Sequence, residues 1–230
     1  MRVGKEQFVS SRRGDTLIEV IFATTIFSML AIMSLSAMNS SIQSIKSDLE
    51  RASVRDEISA QAEAIRFIHN SYSAEREYEL SFQEYRDLWK GLVEDSLLQT
   101  TYNTSTLDTG SCSDLPSNAF IINTRSINPG AVSSTIVKLN SGNYQIPSTY
   151  ANILYGAGSS ALYEPTLSSS FLRSEGIWIN VFESAAKEGS FPQYYDFHIS
   201  SCWNSISSSQ VNTISTIVRL YNPELIEVSN

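Results

Sequence analysis

Cys112, Cys202, His69 and His198 are the only thiols and imidazoles in the 230-residue chain. Thiolate attack, imidazole base catalysis or a structural zinc would have to be built from them. The spacing favours none of these. The histidines fall in different predicted elements with no nucleophile beside them in sequence, and two cysteines with two distant histidines make a poor metal-ligand set. A Cys112 nucleophile with His198 as its base is the one conceivable pair. The chain also lacks His-Glu-x-x-His, Gly-x-Ser-x-Gly, a phosphate-cradling glycine loop and an acidic calcium loop. The expectation is therefore a non-enzymatic protein with no metal and no cofactor.

Glu19 is chemically informative for another reason. From 17 to 38 the chain has no Lys, Arg, Asp, Gly or Pro, and Glu19 is the only ionisable residue in that apolar run. A helix of this length extends roughly 33 Å, enough to cross the hydrocarbon core of a bilayer. A carboxylate in such a helix costs on the order of 2.5 to 3.5 kcal/mol at mid-membrane and less near an end. It therefore needs a partner or a route to the headgroups, where it could also simply snorkel. The segment before the run carries Arg2, Lys5, Arg12 and Arg13 against the single acid Glu6. That bias keeps the N-terminus cytoplasmic and sends everything after Met38 outward.

The stretch Gly14-Asp15-Thr16-Leu17-Ile18-Glu19-Val20, behind a short basic leader and ahead of an apolar helix, resembles the processing site of type IV prepilins and of type II secretion pseudopilins. The resemblance covers residues 12 to 38. It implies cleavage after Gly14 by a membrane prepilin peptidase, so that Asp15 becomes the first mature residue, with methylation of its new amine. It also implies that Glu19 pairs with the terminal amine of a neighbouring subunit and so fixes the register of assembly. This chain departs from the family at Asp15, where phenylalanine or methionine is more usual. An ordinary cleaved signal and an uncleaved anchor helix are the competing readings of the same segment.

An outward-facing domain gives the cysteines an oxidising setting, and two cysteines there read as a Cys112 to Cys202 disulfide rather than a metal site. Two buried free thiols are the alternative. The formal net charge of −8 supplies no field for phosphate, so general nucleic-acid binding is not expected.

The elements follow from spacing. No Gly or Pro occurs between Asp15 and Lys90, and beyond Met38 an apolar stripe at Ile42, Ile45, Leu49, Ala52, Ile58, Ala62, Ile65, Ile68 and Tyr72 is spaced mostly three or four residues apart. This predicts one helix from Thr16 to about Ser71, continuous through Thr24, Thr25, Ser28, Ser34 and Ser36. A second helix is predicted from Phe82 to about Val93, with Ser81 and Glu84 as its capping box. Strands are expected at 120–124, 135–139, 177–182, 194–199 and 213–220, with Tyr195, Phe197 and Ile199 facing the core, Asp196 and His198 facing out, and Cys202 at a strand end. Ala157-Gly158-Ser159-Ser160 and Ser168-Ser169-Ser170 read as exposed loop.

The predicted architecture is α+β: a long N-terminal helix, membrane-spanning in its first half, packed on a C-terminal antiparallel sheet domain. Its segments are a leader at 1–14, a transmembrane part at 15–38, an amphipathic continuation at 39–72 and an extracytoplasmic domain at 73–230. The unbroken helix and large outer domain favour a minor pilin over a major one. The resemblance implies as partners the peptidase, the inner-membrane assembly platform, other pilin subunits and membrane lipid, and as location the bacterial cytoplasmic membrane and then a surface pilus or pseudopilus. A single-span sensor whose outer domain binds a ligand is the rival from another class, and a surface hydrolase a third.

Overall fold

The computed structural model describes residues 15–77, 84–93, 97–99, 112, 115, 117–147, 149–158, 169–184, 192–204 and 211–225. The chain divides into two compact units, Met1–Lys46 and Ser47–Asn230. Its class is mixed α and β, as the sequence predicts.

The helix α1 spans Asp15–Glu77. In the first unit every described side chain from 16 to 46 is exposed. The hydroxyls there bond back to the turn before: Thr25 to the Ile21 carbonyl at 2.7 Å, Ser28 to that of Thr24 at 2.7 Å and Ser34 to that of Leu30 at 2.9 Å. Each hydroxyl is thereby satisfied without a break in the helix. No glycine or proline interrupts the chain, and the helix runs about a turn and a half beyond its predicted end. Ser73, expected near the stop, donates to the His69 carbonyl at 2.9 Å instead of ending the helix.

In the second unit the buried line of α1 is Glu50, Val54, Ile58, Gln61, Ile65, Ile68 and Tyr72. The predicted stripe holds from Ile58 onward and fails above it, where Ile42, Ile45, Leu49 and Ala52 are exposed. A search for apolar residues alone skips Glu50 and Gln61, and these two polar residues mark the face that turns inward. Helix α2, Glu84–Leu92, buries Leu88, Trp89 and Leu92. Its predicted cap residue Ser81 lies outside the described residues. The N–H groups of Tyr85 and Arg86 donate to the two carboxylate oxygens of Glu75, both at 3.2 Å. The last turn of α1 thus caps the first turn of α2 with a charge that also suits the helix dipole.

The strands are β1 (Leu98–Gln99), β2 (Phe120–Ile122), β3 (Ile136–Lys138), β4 (Tyr144–Gln145), β5 (Asn152–Gly158), β6 (Ser169–Glu175), β7 (Ile177–Glu183), β8 (Tyr194–Asn204) and β9 (Val211–Tyr221). A one-turn helix α3, Val132–Thr135, precedes β3, and a 3₁₀ turn at Pro223–Leu225 follows β9. The main sheet is six-stranded in the order β3-β2-β7-β8-β9, with the short β1 parallel to β7, and β4-β6-β5 form a second sheet. The central strand β7 is buried over its first five residues.

The second sheet corrects the loop prediction. Ala157 and Gly158 pair with Ser170 and Ser169 in a seven-residue β5–β6 ladder, whereas Ser159, Ser160 and Ser168 lie outside the described residues. A ladder is held by backbone groups, so small polar side chains do not prevent it. The same holds for β8 and β9, which extend into Ser- and Asn-rich sequence and place Cys202 inside a strand rather than at its end.

Candidate functional site

Two features of the first unit bear on function. Residues 16–38 form a helix with its large apolar side chains in the open, Phe27 among them at 74% exposure, and this stretch is long and apolar enough to cross a membrane. A surface of this kind is foreign to water, and a membrane anchor is its simplest use. Glu19 lies in the first turns of the helix and is exposed. Gly14 lies outside the described residues. Asp15 belongs to α1, and the predicted cut between it and Gly14 falls at the boundary of the described residues.

The remaining chemical candidates are structural. Cys112 and Cys202 are disulfide-bonded, with Cα atoms 5.5 Å apart, which removes the Cys112 and His198 nucleophilic pair. The bond ties the segment before β2 to β8 across 90 residues of sequence. The side chain of Asn180 on β7 also holds this segment, donating to the Ser117 carbonyl at 3.2 Å. In the chain-entropy account a loop of this size is worth roughly 4 to 5 kcal/mol, and measured values often fall lower. Replacing both cysteines by serine is expected to lower the stability of the second unit by about 2 to 5 kcal/mol. Free thiols in protein alkylated under denaturing, non-reducing conditions would contradict the bond.

The histidines are far apart in role as well as in sequence. His69 on α1 stands edge-on to Trp89, and its Nε2 lies 2.9 Å from the Tyr221 carbonyl at the end of β9. It knits α1, α2 and β9 together. His198 lies on the other face of the main sheet, 4.7 Å from the ring of Phe182. Burial holds its pKa below the ordinary imidazole value, and the Asp196 carboxylate partly offsets this. Asp196 itself receives two hydrogen bonds from Arg219, each 2.7 Å, and the guanidinium stacks 4.0 Å over Tyr194. On α1, burial pushes the Glu57 carboxyl up, against the opposing pull of Arg125. Among the described residues no three His, Cys, Asp or Glu side chains gather where they could hold a metal ion.

Three buried polar arrangements escape sequence reasoning, two because their partners lie far away in the chain and one because Ser174 bonds the backbone of Ile177 across a strand junction. Strands β2 and β7 share a single paired position, Phe120 with Ile179, before they part. Gln61 on α1 then takes up Ile122, its amide donating to the carbonyl and accepting from the N–H, both at 2.8 Å. On the β7 side the Ser174 hydroxyl donates to the Ile177 carbonyl and accepts the Ile177 N–H at 3.2 Å. Two side chains thus replace the missing rungs of the ladder. Finally, the indole N–H of Trp203 points at the Glu50 carboxylate, 3.5 Å away. Comparison with protein-family models, with curated proteins and with solved structures returned no match to this chain.

Proposed function

We propose that this chain is a structural subunit, a minor pilin, of a type IV pilus or related pseudopilus. In this reading it is made as a prepilin, held in the bacterial cytoplasmic membrane by its apolar helix with the C-terminal domain outside, cut after Gly14 and assembled by packing of helices. The observation that carries the reading is the register of Gly14 with Thr16-Leu17-Ile18-Glu19 at the start of an exposed apolar helix that continues into an α+β domain. The disulfide supports the outward placement of that domain. The peptidase, the assembly platform and other pilins are the partners this requires.

The N-terminal residue of the purified protein tests the reading, being Asp15 for a processed pilin and Met1 for an anchored sensor. Gly14→Val is expected to abolish cleavage, because any side chain at the cut obstructs the seating of backbone in the peptidase. Intact-mass spectrometry that still finds a chain beginning at Asp15 in this variant would remove the main support for the reading.

Glu19 then has a role confined to assembly. In the separate subunit it can reach the headgroups, but inside a bundle of apolar helices an unpaired carboxylate and an unpaired terminal ammonium are each penalised, and correct register neutralises both. Glu19→Ala is expected to leave insertion and cleavage intact while lowering recovery in sheared fibres at least tenfold, a change of about 1.4 kcal/mol. Wild-type recovery would make the carboxylate a bystander. The Asp15 carboxylate competes for the same ammonium, which weakens the pairing and suits a subunit used sparingly.

A further inference from the structure

The outer edge of β9 is a strand template. Hydrogen bonds from Cys202 N–H to Gly176 at 2.8 Å and from Ser184 N–H to Tyr194 at 2.9 Å show that even-numbered β8 residues face β7. The Asn222 N–H bond to Gln193, 2.9 Å, shows that odd-numbered positions of that strand face β9. With Phe197 paired to Val218 and Ile199 to Thr216, the even residues of β9 complete the ladder. The N–H and C=O groups of Val211, Thr213, Ser215, Ile217, Arg219 and Tyr221 therefore point away from the sheet. Among the described residues no strand pairs with that edge. At its far end the Tyr221 carbonyl meets His69, and Arg76 donates to the Pro223 carbonyl.

Proteins usually blunt such an edge with proline, lysine, a bulge or brevity. Here β9 is eleven residues long, pairs with β8 without a bulge, and contains no Pro, Lys, Asp or Glu. Its one charge, Arg219, is already matched by Asp196.

We infer that β9 pairs with β9 of a second copy of this chain, antiparallel about a two-fold axis at Ser215, to form one sheet across both molecules. Charge and register select this occupant and this alignment. Two copies of net charge −8 repel at most surfaces, but the edge is uncharged from 211 to 218. Centring the pair on Arg219 would oppose two guanidiniums. Centring it on Ile217 would require the Tyr221 carbonyl, which His69 occupies. Centring it on Ser215 sets Ser215 against its mate, Thr213 against Ile217 and Val211 against Arg219. Every free group over those nine residues is then used and no like charges meet, giving about ten hydrogen bonds. The exposed side chains of Thr213 and Ile217, the latter 55% exposed, then form cross-strand pairs. The strip is smaller than the roughly 800 Å² per partner of a standard interface, so the pairing is weak when dilute.

Cysteine cross-linking of the full chain in membranes tests this, and it does not depend on the pilin reading, since a prepilin, a pilin or an anchored sensor would show the same result. The described cysteines are both in the disulfide, so one introduced thiol reports on itself. Opposed residues in this register have Cα atoms about 5.5 Å apart, within disulfide range. Ser215→Cys is expected to give a covalent homodimer on mild oxidation, and Thr213→Cys none, because its mate lies four residues along, roughly 13 Å away. Adding Ile217→Cys to Thr213→Cys should restore the dimer. Adding Thr213→Pro to Ser215→Cys removes an edge N–H but no β8 ladder bond, and should reduce the dimer at least fivefold while near-ultraviolet circular dichroism remains native. Absence of a Ser215→Cys dimer in folded protein, equal yields at 213 and 215, or a cross-link by mass to a different protein would each overturn the proposal.

Discussion

Gly176→Ala is expected to destabilise the second unit by at least ~4 kcal/mol, near the upper limit for a single substitution. Gly176 joins β6 to β7, and so it is where the chain leaves the smaller sheet for the larger one. Its φ is +74°, a left-handed conformation that costs an L side chain roughly 1 to 2 kcal/mol. Space is the larger obstacle. A Cβ here would lie 2.2 Å from the Cys202 carbonyl oxygen and 2.7 Å from the Pro147 ring. Neither can retreat cheaply. The Cys202 carbonyl belongs to β8, whose backbone is tied to Gly176 by the Cys202 N–H bond of 2.8 Å, while the Gly176 N–H donates to the Gln145 carbonyl at 3.0 Å. Relief of the clash would pull β7 from β8, or β4 from β6. Trp89, Trp178 and Trp203 are all buried in this unit, so urea unfolding followed by tryptophan fluorescence reads the change directly. A midpoint within experimental error of the wild-type value would show that the junction is looser than its contacts imply.

How much of this was legible in the sequence depends on the range over which each feature is encoded. The apolar helix is written in consecutive residues, a run without a breaker, and the three long strands of the main sheet show in β-branched and aromatic runs such as Ile177-Trp178-Ile179. The alternation of Tyr195, Phe197 and Ile199 against Asp196 and His198 gave the correct buried face of β8. The β5–β6 hairpin did not show, because Gly158 and Ser169 are paired by backbone and carry no apolar signal. Glu75, which caps the Tyr85 and Arg86 N–H groups of α2, belongs to the preceding helix and no local motif announces it, while the predicted cap residue Ser81 lies outside the described residues. The shift of the helix face at Ala52 follows the sheet that covers it, and local period cannot report on that. For the candidate site the limit is sharper. The proposed register of Gly14, Asp15 and Glu19 is a linear motif, whereas Gln61 is one more polar helix residue in the sequence and its partner lies 61 positions away.

Gln61 accordingly gives the other large effect. The side chain is 0% exposed and reaches from the middle of α1 to the sheet at Ile122, itself 0% exposed. Gln61→Leu keeps nearly the same volume but strands a buried N–H and a buried C=O, each at about 1 to 3 kcal/mol, for a loss of roughly 2 to 6 kcal/mol. Volume alone predicts almost no change, so the two accounts are well separated. Gln61→Glu distinguishes hydrogen bonding from shape still further. The ionised carboxylate accepts the Ile122 N–H but confronts the carbonyl with a second acceptor at a fully buried position, and burial raises its pKa. Protonated, it regains a donor for that carbonyl. Because the folded-state pKa lies above the unfolded one, the folded protein binds the extra proton, and the penalty is full above the folded pKa. It diminishes as pH falls toward the unfolded value near ~4.3. Relative to wild type, the Glu variant should therefore recover stability on acidification while the Leu variant does not. Parallel pH profiles for the two would show that Gln61 serves only to fill space, and that the parted ends of β2 and β7 are held by something other than its amide.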